Sequence, residues 1–339
     1  MTTSTMQKVR MPAEWEAHSG CWMGWPIHGM WGKDRDGVEA DYAAVAHAVR
    51  RFEPVSMLAD PSVVQRARNL LGADIDVIEA PMDDAWLRDS GPTFVRTAAG
   101  ELAGISWRFN GWGGANPSFD KDAALADIVL RQARVPIIPS AMAIEGGAIA
   151  VDGAGTLLTT ETVVLNPNRN PGMTRAKAEA EFSRTLGVTK VIWLHGNKDE
   201  FGTDGHIDGI ACFTRPGVVL FEESHERAGR SYETAMANLR GIEGQTDAAG
   251  RKIEILRMTD APPLDRQGKG DWGTSRSYIN FYVANDGIVM PSYGVPEDDA
   301  ARDIIAAAFP GRDIVQVPIP VLCTGGGGIH CITQQQPQV

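Results

Sequence analysis

The chain has 339 residues, 43% of them hydrophobic and 22% charged, with a formal net charge of -11. This is the composition of an ordinary water-soluble globular protein, and its acidity argues against nucleic acid as the main partner while suiting cationic ligands. Four cysteines without a CxxC pair exclude a disulfide framework or zinc ribbon, and no apolar run approaches the roughly 18 residues of a membrane span.

The first eleven residues carry no apolar signal region, so the chain reads as cytoplasmic and free of membrane. Residues 11–26 follow, rich in tryptophan and without helical period, which implies an interior wall of a core or pocket. Apolar spacing then predicts a helix over 37–52, a strand over 55–59, a helix over 62–71 and a strand over 75–80. From there a unit recurs. Strands 91–96 and 102–109 flank a turn ending in Gly100, and a helix over 121–134 leads to a strand at 135–138. Strands 147–151 and 156–160 precede a helix over 174–186 and a strand at 190–194. Strands 210–214 and 218–222 precede a helix over 231–239 and a strand at 252–256. Strands 278–283 and 288–291 precede a helix over 298–308 and a strand at 313–317. The N-terminal elements and a last strand carrying Cys331 would supply a fifth unit.

Repeated ββαβ units without a capping repeat suggest a ring that joins its first and last elements, with all 339 residues in one α/β domain. A plain two-layer α/β sheet is the alternative. The polar residues at the start of each unit favour the ring, because equivalent positions in a closed ring converge on its axis. Asp89 precedes the first hairpin and Glu145 the second, His206 and Asp208 precede the third, Asn280 lies in the fourth, and Cys331 sits where a run of four glycines meets an apolar strand signal. Taken singly, each has a plainer role, as a turn cap, a surface ion pair or a buried thiol. His206 and Asp208, two apart on a strand, would share a face, but no third ligand has metal-site spacing.

Together these groups suit a guanidinium. Two carboxylates can grip its fork of N–H donors, a thiolate can attack its central carbon, and a histidine held by a carboxylate can pass protons. No metal or organic cofactor is needed.

The segments Met11-Pro12-Ala13-Glu14-Trp15-Glu16, Ala85-Trp86-Leu87-Arg88-Asp89-Ser90-Gly91-Pro92, Glu145-Gly146-Gly147, Leu165-Asn166-Pro167-Asn168-Arg169-Asn170-Pro171, Asp204-Gly205-His206-Ile207-Asp208, Ser277-Tyr278-Ile279-Asn280-Phe281-Tyr282 and 325–337 resemble, in the same order, those of the agmatine deiminase family of guanidine-modifying (pentein) enzymes. The resemblance implies a five-bladed α/β propeller of ββαβ units and hydrolysis of agmatine to N-carbamoylputrescine and ammonia. It implies Cys331 as nucleophile, His206 as general acid and base, Glu145 as its orienting group, and Asp89 and Asp208 as the grip on the guanidinium. Trp86 and Asn280, within these motifs, are further candidates for substrate contact. Deimination of another small guanidine or of arginine residues, or a silent guanidine sensor, are the competing readings. A homodimer or higher homo-oligomer is compatible with all of them. Two positions depart from the expected pattern: Gly328 stands where asparagine is expected before Ile-His-Cys, and Gly209 where asparagine is expected after His-x-Asp. Both losses of a side-chain amide predict a roomier pocket, and the loop over 111–119 reads as short.

Overall fold

The computed structural model describes residues 8–27 and 29–339; the leader-free reading of the N-terminus falls mainly on residues outside that range. The chain folds as mixed α/β, and its strands form five sheets among the described residues. Each sheet contains the same core: an antiparallel pair followed by a parallel strand reached through a helix. Thr93–Thr97 and Leu102–Ser106 pair antiparallel, and helix Leu125–Gln132 leads to the parallel strand Ile137–Pro139. The pattern recurs in Ala150–Val151, Thr156–Thr160, helix Arg175–Leu186 and Lys190–Leu194. It recurs again in Ala211–Arg215, Val218–Glu223, helix Arg230–Ile242 and Glu254–Thr259, and in Tyr282–Val283, Gly287–Ser292, helix Glu297–Ala308 and Asp313–Pro318.

The fifth sheet joins the two ends of the chain. Thr333–Pro337 pairs antiparallel with His18–Gly24, which runs parallel to Val55–Ala59 after helix Arg35–Arg50. Asp76–Glu79 extends this sheet, after helix Val64–Leu71. The helices bury the faces their spacing marks out; Val38, Tyr42, Val45, Ala46 and Val49 of Arg35–Arg50 all enter the core. Helix Arg175–Leu186 starts at Thr174, whose hydroxyl receives the amide of Lys177, and stops at the left-handed Gly187.

The fifth sheet meets the fourth through a buried polar knot. Glu53 accepts from Tyr282 Oη at 2.6 Å and from the amide of Asn285 at 2.9 Å. Asn285 in turn exchanges hydrogen bonds with the backbone of His18.

Several expected strands start later than their apolar pattern suggests, and the reason repeats. Residues 146–148, 207–209 and 330–332 form single 3-10 turns ahead of their strands, and 87–90 one short helical turn. Residues 278–281, expected in a strand, are non-repetitive backbone and only Tyr282–Val283 pairs. Thus His206 leads into a turn and Asp208 lies within it, instead of the two sharing a strand face, and Cys331 lies in the turn before Thr333–Pro337 instead of on the strand. Hydrophobic periodicity marks burial, and these turns are as buried as the strands they precede. No helix among the described residues is long and apolar enough to cross a membrane.

Candidate active site

These turns bring the expected polar residues together. A carbon placed at the Cβ position of Gly147 would lie 2.6 Å from His206 Nδ1, 2.8 Å from Asp89 Oδ1 and 2.9 Å from Asp208 Oδ2. Three groups from the starts of two units therefore converge on one point at the start of a third, and only glycine leaves that point free. Cys331 Sγ lies 3.7 Å from Asp208 Oδ2 and 3.4 Å from Asn280 Oδ1.

His206 is nearly fully buried, with Nε2 3.5 Å from Glu145 Oε2 and Nδ1 3.7 Å from Asp89 Oδ1. Burial works against its protonation, but Asp89, Glu145 and Asp208 outweigh it and raise the imidazole to about 9. Glu145 is itself fixed by Arg169, whose Nε donates at 3.0 Å, and burial is overcome so that its carboxyl stays below the usual range. Arg169 is fully buried and also reaches Asp204 and the Gly202 carbonyl. It ties the partner of His206 to the turn that carries His206. Asp89 is pushed upward by burial, and Asp208 and Glu145 add to this against the pull of His206. Its oxygens accept from the Gly147 amide and from Trp112 Nε1, both at 2.9 Å. Trp112 makes that contact from φ 54°, a left-handed conformation that is strained for a bulky side chain.

The thiol of Cys331 is held well above its ordinary value by burial and by Asp208 and Asp89. The turn that presents it is fixed by Asn280, whose Oδ1 receives the amides of His330 at 3.1 Å and Cys331 at 3.4 Å. The glycine run leading to it passes against rings. Cβ atoms at Gly325 and Gly327 would lie 2.5 Å from Trp31 and 2.5 Å from Trp86, respectively.

A cavity of about 320 Å³ opens from this cluster, lined near it by His206, Asp208, Asn280 and Cys331 and farther out by Glu200, Glu222 and Asp260. That volume suits a small molecule. Glu222 is raised to about 8 by burial, with Asp260 adding to it, and Glu200 and Asp260 are also raised by burial. Arg276 lies 3.1 Å from Asp260 and balances part of that charge.

Not every expected residue reaches the cavity. Glu145 is set behind His206, and Asp89, 3.7 Å from His206 Nδ1, stands at the inner edge of the cavity and not on its open wall. Trp86, expected to contact substrate, lies under the glycine run, 7% exposed, and shapes the loop instead. Asn280 lines the cavity, but its carboxamide oxygen is committed to the backbone of the Cys331 turn. Gly209 borders open space, as its missing side chain predicts. Gly328 does not. A Cβ there would lie 2.6 Å from Asn280 Oδ1, so the space is already filled and the expectation of extra room is corrected at this position.

Sequence reasoning missed His330, Glu14, Arg88, Arg169 and Trp112. All but Trp112 stand inside the motifs quoted above, yet nothing in their spacing says which residues they meet. No group of three or more His, Cys, Asp or Glu placed to hold a metal ion occurs among the described residues.

The sequence pattern of the Porphyromonas-type peptidyl-arginine deiminase family matches residues 10–337. The chain belongs to that family. It is 39% identical to the agmatine deiminase of Pseudomonas aeruginosa strain LESB58, over 99% of this chain and 97% of that one. It is 38% identical to the agmatine deiminase of Medicago truncatula, over 99% and 98%. The solved structure of the Enterococcus faecalis agmatine deiminase superposes with a TM-score of 0.92 at 33% identity, covering 98% of this chain and 96% of that chain.

Proposed function

We propose that this protein is a small-molecule guanidine deiminase whose preferred substrate is agmatine. The observation that carries the reading is the convergence of His206, Asp89 and Asp208 on one point beside the Cys331 thiol, in a cavity lined with carboxylates. Relatives named as agmatine deiminases over nearly their whole length support the choice of substrate. The five sheets, with the last strand paired to the first unit, are read as the blades of one closed propeller domain with the site on its axis. Four unpaired cysteines suit a cytoplasmic setting.

The charges around the nucleophile suggest how it is activated. Asp89, Asp208, Glu145, Glu14 and Asp204 face His206, His330, Arg88 and Arg169, so with a neutral thiol the resting site already holds slightly more negative than positive charge. A guanidinium held by Asp208 and Asp89 adds one positive charge, and ionisation of Cys331 cancels it. The thiolate then bonds to the guanidinium carbon. The C–N bond to one terminal nitrogen breaks as His206 gives its proton to the departing ammonia, leaving a thiouronium on Cys331. Neutral His206 next takes one proton from water as its oxygen attacks the same carbon, and the C–S bond breaks as the remaining hydroxyl proton passes to sulfur, releasing the neutral carbamoyl product and restoring the resting thiol.

A panel of agmatine, arginine, a blocked arginyl peptide and a shorter guanidino acid, with ammonia release as readout, tests the assignment. The highest kcat/KM should fall on agmatine, with N-carbamoylputrescine as product. No turnover of agmatine alongside rapid turnover of another guanidine would reassign the substrate.

The role of His206 has a pH signature. It must hold a proton to give to ammonia, so activity should fall as pH rises through about 9. Glu145 is one of the charges holding that proton. Glu145→Gln should therefore move the alkaline limb of kcat to lower pH, besides lowering its maximum. An unmoved limb would show that another group donates the proton.

A further inference from the structure

His330 precedes the nucleophile, and the scheme above leaves its ring unused. Nδ1 lies 2.9 Å from Asp208 Oδ2 and Nε2 lies 2.9 Å from Glu14 Oε1. An imidazole satisfies a carboxylate at each nitrogen only when both nitrogens carry protons. Arg88 extends the column, with a terminal nitrogen 3.6 Å from Glu14 Oε1 and Nε donating to the His330 carbonyl at 3.3 Å. Asp208, His330, Glu14 and Arg88 thus alternate in charge. Only Glu14 is appreciably exposed, with its side chain 23% open to solvent, and it does not line the substrate cavity.

The other titratable groups near His330 are the thiols of Cys331, next in the chain, and Cys212, across a small void of about 30 Å³. Burial and Arg88 oppose the charge on His330, yet Glu14 and Asp208 hold the ring above its usual value. Glu14 is held at about 2, its burial outweighed by His330 and Arg88. Asp208 stays below the ordinary carboxylate range because the His330 hydrogen bond and charge outweigh its burial. Without that bond, burial would favour the neutral acid, which has no charge to offer a cation.

We propose that His330, held as an imidazolium between Asp208 and Glu14, is a positioning residue that keeps Asp208 ionised and aimed at the guanidinium, and that Glu14 keeps the proton on it. The proposal rests on the guanidine-deiminase reading for its effect on turnover, but not for the charge state it assigns.

Glu14→Gln removes the outer carboxylate and keeps its size. At neutral pH it should raise KM for agmatine about tenfold with a smaller change in kcat, and move the acid limb of kcat/KM to higher pH. His330→Gln should do the same more strongly. The double variant should be no worse than His330→Gln alone, because Glu14 acts through the ring. A purely structural role would lower folded yield or melting temperature without moving the limb. If His330→Gln fails to fold, Glu14→Gln, at a partly exposed position, decides.

A second readout needs no substrate. With nitrogen-15 in the histidine rings, magnetic resonance should show both His330 nitrogens protonated in the wild type at neutral pH. The ring should lose a proton at distinctly lower pH in Glu14→Gln. A neutral His330 in the wild type, or an unmoved KM and acid limb in a folded variant, overturns the proposal. A wild type inert toward every guanidine overturns the functional reading alone, and the ring titration then settles the charge state.

Discussion

Cys331→Ser should lower kcat on agmatine by at least about 10³-fold while leaving agmatine binding measurable by calorimetry. The guanidinium carbon is a poor electrophile because its charge is delocalised, so the attacking atom must be anionic. The site can ionise a thiol when a cation arrives beside Asp208, 3.7 Å away. A serine hydroxyl starts far higher, and the added charge of one substrate cannot bring it into range. The grip on the guanidinium is a separate matter. Asp208 and Asp89 keep their partners Trp112, Gly147 and His330 in the serine variant, so binding should survive. Cys323→Ser is the control. That thiol is buried in the turn Leu322–Gly325, raised to about 11 by burial, and its variant should keep most of the activity. Turnover retained in Cys331→Ser would mean another nucleophile.

The order of elements was legible because each signal was local. Gly100, Gly155, Gly217 and Gly287 punctuate four successive hairpins, and the crossover helices carry apolar residues at helical spacing. Site residues could be nominated because each stands at the start of a unit. What could not be read is how the chain bends at those starts. Of the 3-10 turns, 146–148 and 207–209 contain glycine, which marks a break without fixing its geometry, and 330–332 contains no turn residue at all. Contacts across the site were equally hidden. Arg169 meets Glu145 across 24 residues and Glu14 meets His330 across 316, and both distances are set by how the sheets assemble. Trp86 illustrates the converse error. A tryptophan beside Asp89 invites a role in binding, yet its ring is the floor on which Gly325 and Gly327 lie. The glycine run reads correctly as a close approach of backbone, but only the fold shows what it approaches.

The two unexpected glycines divide for the same reason, and they should respond oppositely to asparagine. At Gly209 nothing lies within 4 Å of a new Cβ, the position borders the cavity next to Asp208, and the backbone is not left-handed. Gly209→Asn should fold normally and place an amide in the cavity. One added hydrogen bond to substrate should change the ratio of kcat/KM between agmatine and arginine by about tenfold. At Gly328 the new Cβ would stand 2.6 Å from Asn280 Oδ1, the atom that receives the amides of His330 and Cys331. That carboxamide must yield, and the turn holding Cys331 moves with it. A displacement of about 1 Å at a reacting atom can cost about 100-fold. Gly328→Asn should therefore lower kcat on every guanidine by about that factor, without changing the preference among them. Adding Asn280→Ala to Gly328→Asn tests the cause. If the clash is the origin of the loss, removing Asn280 from the Gly328→Asn protein should cost much less than removing it from the wild type, because the contact is already broken. Equal costs in the two backgrounds would show that Asn280 still holds the turn and that the steric account of Gly328 is wrong.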